Sequence, residues 1–303
     1  MGKDFADRYP VAKQTFEEAD AALATNLSQL CFEGPEDQLR LTENTQPAIL
    51  TVSVAAWRVL NQQGIKPAFV AGHSLGEYSA HVAAGTLTFT DAVRAVRNRG
   101  QYMQAAVPVG TGSMAAVVGM HIDTVVALCA DAAQGEVCEP ANINSRDQIV
   151  ISGHTTAIER AVKLAEERGA KRAKMLPVSA PFHCSLMKPA QDLLAEDLRA
   201  LTFCAPQIPV IANVYARPVE DAVSSREALI RQVTGSVKWS ESVQLLISRG
   251  VETFVEVGPG KVLSGLLRQI DRTKKAVNVE NKASLEKTLE YLAGGPGTGP
   301  AES

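Results

Sequence analysis

The sequence predicts an α/β fold, a large unit with a smaller βαββαβ unit inserted into it. Three observations carry this expectation. The first hundred residues mix helical and strand patterns, the order between residues 114 and 178 becomes strand, helix, strand, strand, helix, strand, and α/β order then resumes. A chain of 303 residues, 46% of them hydrophobic, can bury a large core, and its length exceeds the usual single-domain range.

Taken in order, apolar residues at helical spacing predict helices over residues 11–24 and 48–63, and the apolar run 68–71 reads as a short strand. Helices over 75–84, closed by Gly85, and over 90–104 follow. The middle segment predicts strands at 114–119, 137–142, 148–153 and 171–178, with helices at 122–133 and 157–167. That order is ferredoxin-like. Strands at 210–212 and 253–257 belong to the resumed α/β part. The expected boundaries are 1–111 for the first part of the large α/β domain, 112–179 for the inserted subdomain and 180–293 for the second part. Residues 294–303, all Gly, Pro, Ala, Ser, Thr or Glu, are expected to be a disordered tail.

Composition narrows the function classes. With 30 basic and 33 acidic residues, the net charge of -3 gives no electrostatic case for nucleic acid, and no Lys/Arg cluster suits a membrane surface. The five cysteines, Cys31, Cys129, Cys138, Cys184 and Cys204, are scattered without CxxC spacing, so no metal site is expected and they read as reduced thiols in a cytoplasmic protein. No apolar run reaches the ~20 residues of a membrane helix, and residues 1–10 hold no signal core.

The sharpest motif is Gly72-His73-Ser74-Leu75-Gly76, a GxSxG between the strand at 68–71 and the helix at 75–84. At such a strand-to-helix elbow, flanking glycines are expected where a Cβ would collide, and the turn lifts the serine hydroxyl into a cleft. The N–H of Leu75, at the positive end of the helix, would face the oxyanion formed when Ser74 attacks a carbonyl. Serine needs a base, and histidine is the usual one. Of five histidines, His73 should project away from its neighbour, while His81, His121 and His154 read as structural or solvated. His183, in a proline-stiffened loop where the chain leaves the insert, can reach an interdomain cleft; the residues alone leave open whether it is the base or a satisfied loop histidine. On the helix at 90–104, rotation by about 100° per residue groups Arg99 with Ala92, Val96 and Met103, away from Arg94 and Arg97.

Together, Gly72-His73-Ser74-Leu75-Gly76-Glu77, Arg99-Gly100-Gln101-Tyr102-Met103, Pro181-Phe182-His183 and Glu256-Val257-Gly258-Pro259-Gly260-Lys261 resemble the malonyl-CoA:acyl-carrier-protein transacylases of fatty acid synthesis, from the first residues to about residue 292. The resemblance implies an α/β-hydrolase-like large domain with a ferredoxin-like insert and a cleft between them. It implies Ser74 as the acylated nucleophile, His183 as its general base, and the main-chain carbonyl of Gln232 as the group orienting His183, with the Gln232 side chain incidental. Arg99 is implied to pair with the free malonyl carboxylate, a bidentate use of guanidinium. Gln46, Asn142 and Asn144 match polar cleft positions, and His73 and Met103 complete the substrate-contact set. Phe182 is of the type found where malonyl is favoured over branched acyl groups. Malonyl-CoA is then a substrate, the partner is an acyl carrier protein, no permanently bound cofactor is implied, and the family is generally monomeric.

One departure stands out. The family's N-terminal strand and Gly-Gln-Gly-x-Gln loop, source of a second oxyanion donor, have no match, because Met1 and Gly2 align just after that loop. Losing one such donor costs on the order of 100- to 1000-fold in rate, so the expectation is a true start upstream of Met1. Two other readings stay open on sequence: a serine hydrolase such as a thioesterase, and a catalytically impaired carrier-protein-binding subunit.

Overall fold

The computed structural model describes residues 1–178 and 180–294. Five helices come first: α1 Lys3–Arg8, α2 Pro10–Leu23, α3 Leu27–Glu33, α4 Glu36–Leu39 and α5 Thr42–Gln62. Strand β1, Val70–Ala71, leads into α6, Leu75–Ala83, and α7, Phe89–Ala105. The middle segment runs β2 Gly112–Val118, α8 Ile122–Ala133, β3 Cys138–Ser145, β4 Gln148–His154, α9 Thr155–Glu167 and β5 Arg172–Met175. After a 3₁₀ turn at Ser185–Met187 come α10 Lys188–Ala200, β6 Val210–Ala212, β7 Arg217–Val219, α11 Ala222–Gln232 and α12 Trp239–Ser248. The chain closes with β8 Thr253–Val257, α13 Val262–Ile270, β9 Lys275–Val279 and α14 Lys282–Gly294.

Three sheets result. Strand β1 pairs in parallel with β6, and β7 lies antiparallel on the other side of β6. Strands β8 and β9 form a separate parallel pair, from Thr253 opposite Lys275 to Val257 opposite Val279. The middle segment is a fully antiparallel sheet of order β3-β4-β2-β5. It has its own apolar cluster, with Val117, Val125, Leu128, Ile149, Ile151 and Ile158 all fully buried, distinct from the main cluster around Phe5, Phe16, Leu50, Leu60 and Tyr78.

Several expected boundaries moved, each for a physical reason. Helix α5 starts at Thr42, six residues before the expected 48, and runs through Pro47. Proline cannot donate to the carbonyl four residues back, at Glu43. Arg97 Nη1 takes that carbonyl instead, at 3.3 Å. The expected strand at 171–178 ends at Met175, since β5 is an edge strand paired only with β2 and Pro177 has no N–H to extend the ladder. The strand at 68–71 narrows to two residues, and β3 runs on to Ser145. Gly294, placed in the expected tail, ends α14, and the rest of that tail lies outside the described residues.

Strand β3 carries two register shifts, at Pro140/Asn142 and Ile143/Ser145. Bulges re-aim side chains. Along its free edge, β3 meets Val237, just before α12, where Ile143 N–H donates to the Val237 carbonyl and Val237 N–H to the Ala141 carbonyl. Near this seam, Asn144 of β3 meets His73 of the elbow between β1 and α6. Among the described residues, no helix is long and apolar enough to cross a membrane.

Candidate active site

Ser74 sits where β1 turns into α6, with φ 52° and ψ −107°, a conformation L-residues rarely adopt. Its neighbours hold it there. Ser74 N–H donates to Asn213 Oδ1 at 2.7 Å, and Asn213 Nδ2 donates to the Gly72 carbonyl at 2.7 Å. A Cβ on Gly72 would lie 1.9 Å from the Gly76 carbonyl carbon, so only glycine fits. The same does not apply to Gly76, where a Cβ would meet nothing within 4 Å, and the expectation that both flanking glycines avoid a clash is corrected to Gly72 alone. Leu75 opens α6, and the N–H of a first helical residue has no acceptor within its helix.

The Ser74 hydroxyl lies 2.7 Å from His183 Nε2, and His183 Nδ1 lies 2.8 Å from the Gln232 main-chain carbonyl. A carbonyl only accepts, so Nδ1 carries the proton and Nε2 presents its lone pair to the hydroxyl. His183 is 4% exposed with φ 60°. Burial, reinforced by the nearby Arg99 charge, pushes its pKa down to about 3, which keeps the ring neutral with the Nε2 lone pair free. Its role was open on sequence, and the geometry pairs it with Ser74.

Arg99 is 2% exposed on α7, whereas Arg94 donates to the Ala22 carbonyl at the surface and Arg97 serves α5. The wheel position is thus realised. Gly100 makes it possible: a Cβ there would come 2.7 Å from the Glu43 Cα, so α7 can approach α5 closely enough for Arg99 Nη1 to reach Gln46 Oε1 at 2.6 Å. Arg99 Nη2 donates to Ser74 Oγ at 3.0 Å and to Gln232 Oε1 at 2.9 Å. Its guanidinium carbon stands 5.7 Å from the Tyr78 ring centroid, and Nε has no protein partner. Burial lowers the Arg99 pKa, yet guanidinium stays charged at neutral pH. The result is a buried cation within hydrogen-bond reach of the nucleophile, with a donor to spare.

The remaining expected contacts divide. Gln46 lines the Arg99 cradle, and Met103, 1% exposed, backs it with Sδ 4.0 Å from Gln46 Nε2. His73 points away from the nucleophile as expected: Nε2 meets Asn144 Oδ1 at 2.8 Å and its ring tilts against Trp239, so it ties the elbow to β3. Asn144 makes that link; Asn142 is buried at the seam with Val237. Phe182 packs against both the main core and the group Met114, Ala141 and Val150.

Sequence reasoning missed three features. Asn213 clamps the elbow, Glu77 accepts from Asn213 N–H at 3.0 Å and Gln232 Nε2 at 2.8 Å, and the Gln232 side chain reaches Arg99, Glu77 and the Ser74 carbonyl. The expectation that the Gln232 side chain is incidental is therefore overturned: it is fully buried, and a buried amide must satisfy both its ends. Glu77 stood inside the elbow motif, and a carboxylate beside Tyr78 in a buried first turn was the available signal. Among the described residues, no group of three or more His, Cys, Asp or Glu is placed to hold a metal ion.

Comparison with known proteins matches this geometry to a family. The family described as "Acyl transferase domain" matches residues 1–288. The chain is 50% identical over 290 residues to the malonyl CoA-acyl carrier protein transacylase of Salmonella typhimurium, covering 95% of this chain and 94% of that one. It superposes with TM-score 0.93 and 51% identity on an acyl carrier protein S-malonyltransferase from Vibrio cholerae, covering 95% of this chain and 94% of that one. It also superposes, at TM-score 0.93 and 45% identity, on a malonyl-transacylase solved in complex with its type II PKS acyl-carrier protein, covering 96% of this chain and 94% of that one. Matched by the family model over nearly its whole length and half identical to a relative that it covers almost completely, the chain belongs to the acyl transferase domain family.

Proposed function

We propose that the protein transfers a malonyl group from malonyl-CoA to the phosphopantetheine thiol of an acyl carrier protein through a malonyl-Ser74 ester, in fatty acid synthesis. One observation carries the acyl specificity: the buried Arg99 guanidinium lies 3.0 Å from Ser74 Oγ, so an acyl group on that oxygen finds a cation within reach of its far carboxylate. The relatives named above, one of them bound to its acyl-carrier protein, support the donor and acceptor.

In the first half, His183 Nε2 takes the Ser74 proton as Oγ attacks the thioester carbonyl, and the oxyanion receives the Leu75 N–H. Collapse breaks the C–S bond, and the proton on His183 Nε2 passes to the departing CoA sulfur. In the second half, His183 takes the proton of the carrier thiol, its sulfur attacks the ester carbonyl, and the proton returns to Ser74 Oγ as that oxygen leaves. The Gln232 carbonyl accepts from Nδ1–H throughout, holding the ring in the tautomer both halves need. Arg99 exchanges its hydrogen bond to Ser74 Oγ for the malonyl carboxylate and orients the ester for the second attack. An acyl group without a carboxylate leaves that buried cation unmatched, which argues against a general esterase or thioesterase.

The wider reading follows the same lines. Residues 1–111 and 180–293 form an α/β-hydrolase-like domain and 112–179 a ferredoxin-like insert, supported by the antiparallel order β3-β4-β2-β5 and the separate core of the insert. The Phe182 ring, wedged between the two units, narrows the acyl site against an α-methyl branch. Gln46, His73, Met103 and Asn142 shape the rest of that site. On this reading the protein works as a cytoplasmic monomer, with malonyl-CoA as its substrate.

The test is intact mass after mixing with malonyl-CoA, beside Ser74→Ala and an acetyl-CoA control. A malonyl adduct lost in Ser74→Ala and scarce with acetyl-CoA is expected; an adduct on another residue, or equal acetyl and malonyl labelling, overturns the assignment.

A further inference from the structure

Behind the nucleophile lies a chain of hydrogen bonds that the transfer steps do not use. Glu77 is fully buried one turn after Ser74 on α6, and both its hydrogen bonds fall on one oxygen: Oε2 accepts from Asn213 N–H at 3.0 Å and from Gln232 Nε2 at 2.8 Å. Its other oxygen, Oε1, has no hydrogen-bond partner and stands 4.0 Å from His81 Nε2. Gln232 is the hub. Its Nε2 also donates to the Ser74 carbonyl at 2.9 Å, its Oε1 accepts from Arg99 Nη2 at 2.9 Å, and its main-chain carbonyl orients His183.

A primary amide has a donor end and an acceptor end of nearly equal size, so its direction is set by its partners. Arg99 only donates, and Glu77 Oε2 only accepts from Gln232. The amide is therefore held with nitrogen toward Glu77 and oxygen toward Arg99. Without Glu77, only the Ser74 carbonyl would oppose a turned amide, and a turned amide sets N–H groups against the guanidinium.

We propose that Glu77 is a positioning residue for acyl selectivity: by fixing the Gln232 amide it holds the Arg99 guanidinium beside Ser74, where a malonyl carboxylate is received. This rests on the reading of Arg99 given above. Burial pushes the Glu77 pKa up to about 7, while hydrogen bonds from Gln232 and Asn213 and the Arg99 charge hold it back. Because both bonds use Oε2, the positioning holds with or without a proton on Oε1. A glutamine at this position keeps both bonds, setting its NH₂ where Oε1 now faces His81.

The experiment measures kcat/KM for Ser74 acylation by malonyl-CoA and by acetyl-CoA in Glu77→Ala, Glu77→Gln, Gln232→Met and the Glu77→Ala/Gln232→Met double variant, with Arg99→Ala alongside. Gln232→Met keeps the carbonyl that orients His183 while removing the amide, so it carries the test if Glu77→Ala does not fold. Expected are a fall of about tenfold or more in the malonyl-to-acetyl ratio for Glu77→Ala and Gln232→Met, no further fall in the double variant, and a ratio within about threefold of the parent for Glu77→Gln. Equal loss of both substrates in Glu77→Ala or Gln232→Met, or a Glu77→Gln enzyme as unselective as Glu77→Ala, overturns the inference. If Arg99→Ala itself loses no selectivity, the fault lies with the reading of Arg99.

Discussion

Arg99→Ala is the sharpest probe of how this site chooses its acyl group. The guanidinium now makes three side-chain hydrogen bonds, to Gln46 Oε1 at 2.6 Å, Gln232 Oε1 at 2.9 Å and Ser74 Oγ at 3.0 Å, and is 2% exposed. A carboxylate taken up there forms a charge-assisted pair away from water, and removing one partner of such a pair costs about 3–4 kcal/mol. That is about 150- to 900-fold in kcat/KM for malonyl-CoA. Acetyl-CoA has no carboxylate to lose, so it forfeits only the hydrogen bond to Ser74 Oγ, about 1 kcal/mol, and should slow by about tenfold at most. Quenched-flow acylation with radiolabelled malonyl- and acetyl-CoA measures both, and Arg99→Met, which keeps much of the buried stem, controls for a cavity. Equal losses for the two substrates would refute the assignment of Arg99 to the carboxylate.

The elbow predicts opposite outcomes for two glycines: Gly72→Ala drives a Cβ to 1.9 Å from the Gly76 backbone and should abolish soluble, active protein, whereas Gly76→Ala meets open space and should match or exceed the parent by about 0.5–1 kcal/mol in thermal unfolding. Asn213→Ala leaves the Ser74 N–H and the Gly72 carbonyl without the bonds that clamp the turn. It should lose about 2–4 kcal/mol of stability in urea denaturation and acylate Ser74 at least tenfold more slowly. Stability should also depend on pH. Burial pushes His183 and His81 from 6.5 to about 3, so their contribution is complete above pH 6.5 and is lost as pH falls toward 3. Glu77, raised by burial from 4.5 to about 7, contributes below pH 4.5 and loses that contribution as pH rises through 7. Between pH 6.5 and 4.5 unfolding then takes up about one net proton, so stability should fall by about 1.4 kcal/mol per pH unit on acidification, and more steeply below 4.5. Urea titrations across this range that show a flat stability would contradict the neutral burial of the two histidines.

The local signals were strong wherever one stretch of chain holds the cause. The elbow was legible because the strand, Gly72 and the helix follow one another directly along the chain, and Arg99 because helical periodicity alone puts it on the buried face of α7. The six elements of the middle segment, β2 to β5 with α8 and α9, were nearly all readable from periodicity, since an antiparallel sheet under two amphipathic helices repeats its pattern strand by strand. Boundaries failed where a distant residue intervened. Arg97 rescues the carbonyl that Pro47 cannot serve, and no local propensity foretells a side chain arriving from α7.

What the sequence determined by itself is the chemistry on offer: a serine at an elbow, a histidine in a stiff loop, and one arginine on an apolar face, with motifs enough to imply the acyl group they handle. Tertiary structure decided how these meet. It brought Ser74, Arg99, His183 and Gln232 from four separate elements to within hydrogen-bond distance, and it made a hub of Gln232, Glu77 and Asn213. The reason is physical. A buried polar group is satisfied by whatever donor or acceptor packing brings beside it, and for Gln232 the side-chain partners lie 133 to 158 positions away along the chain.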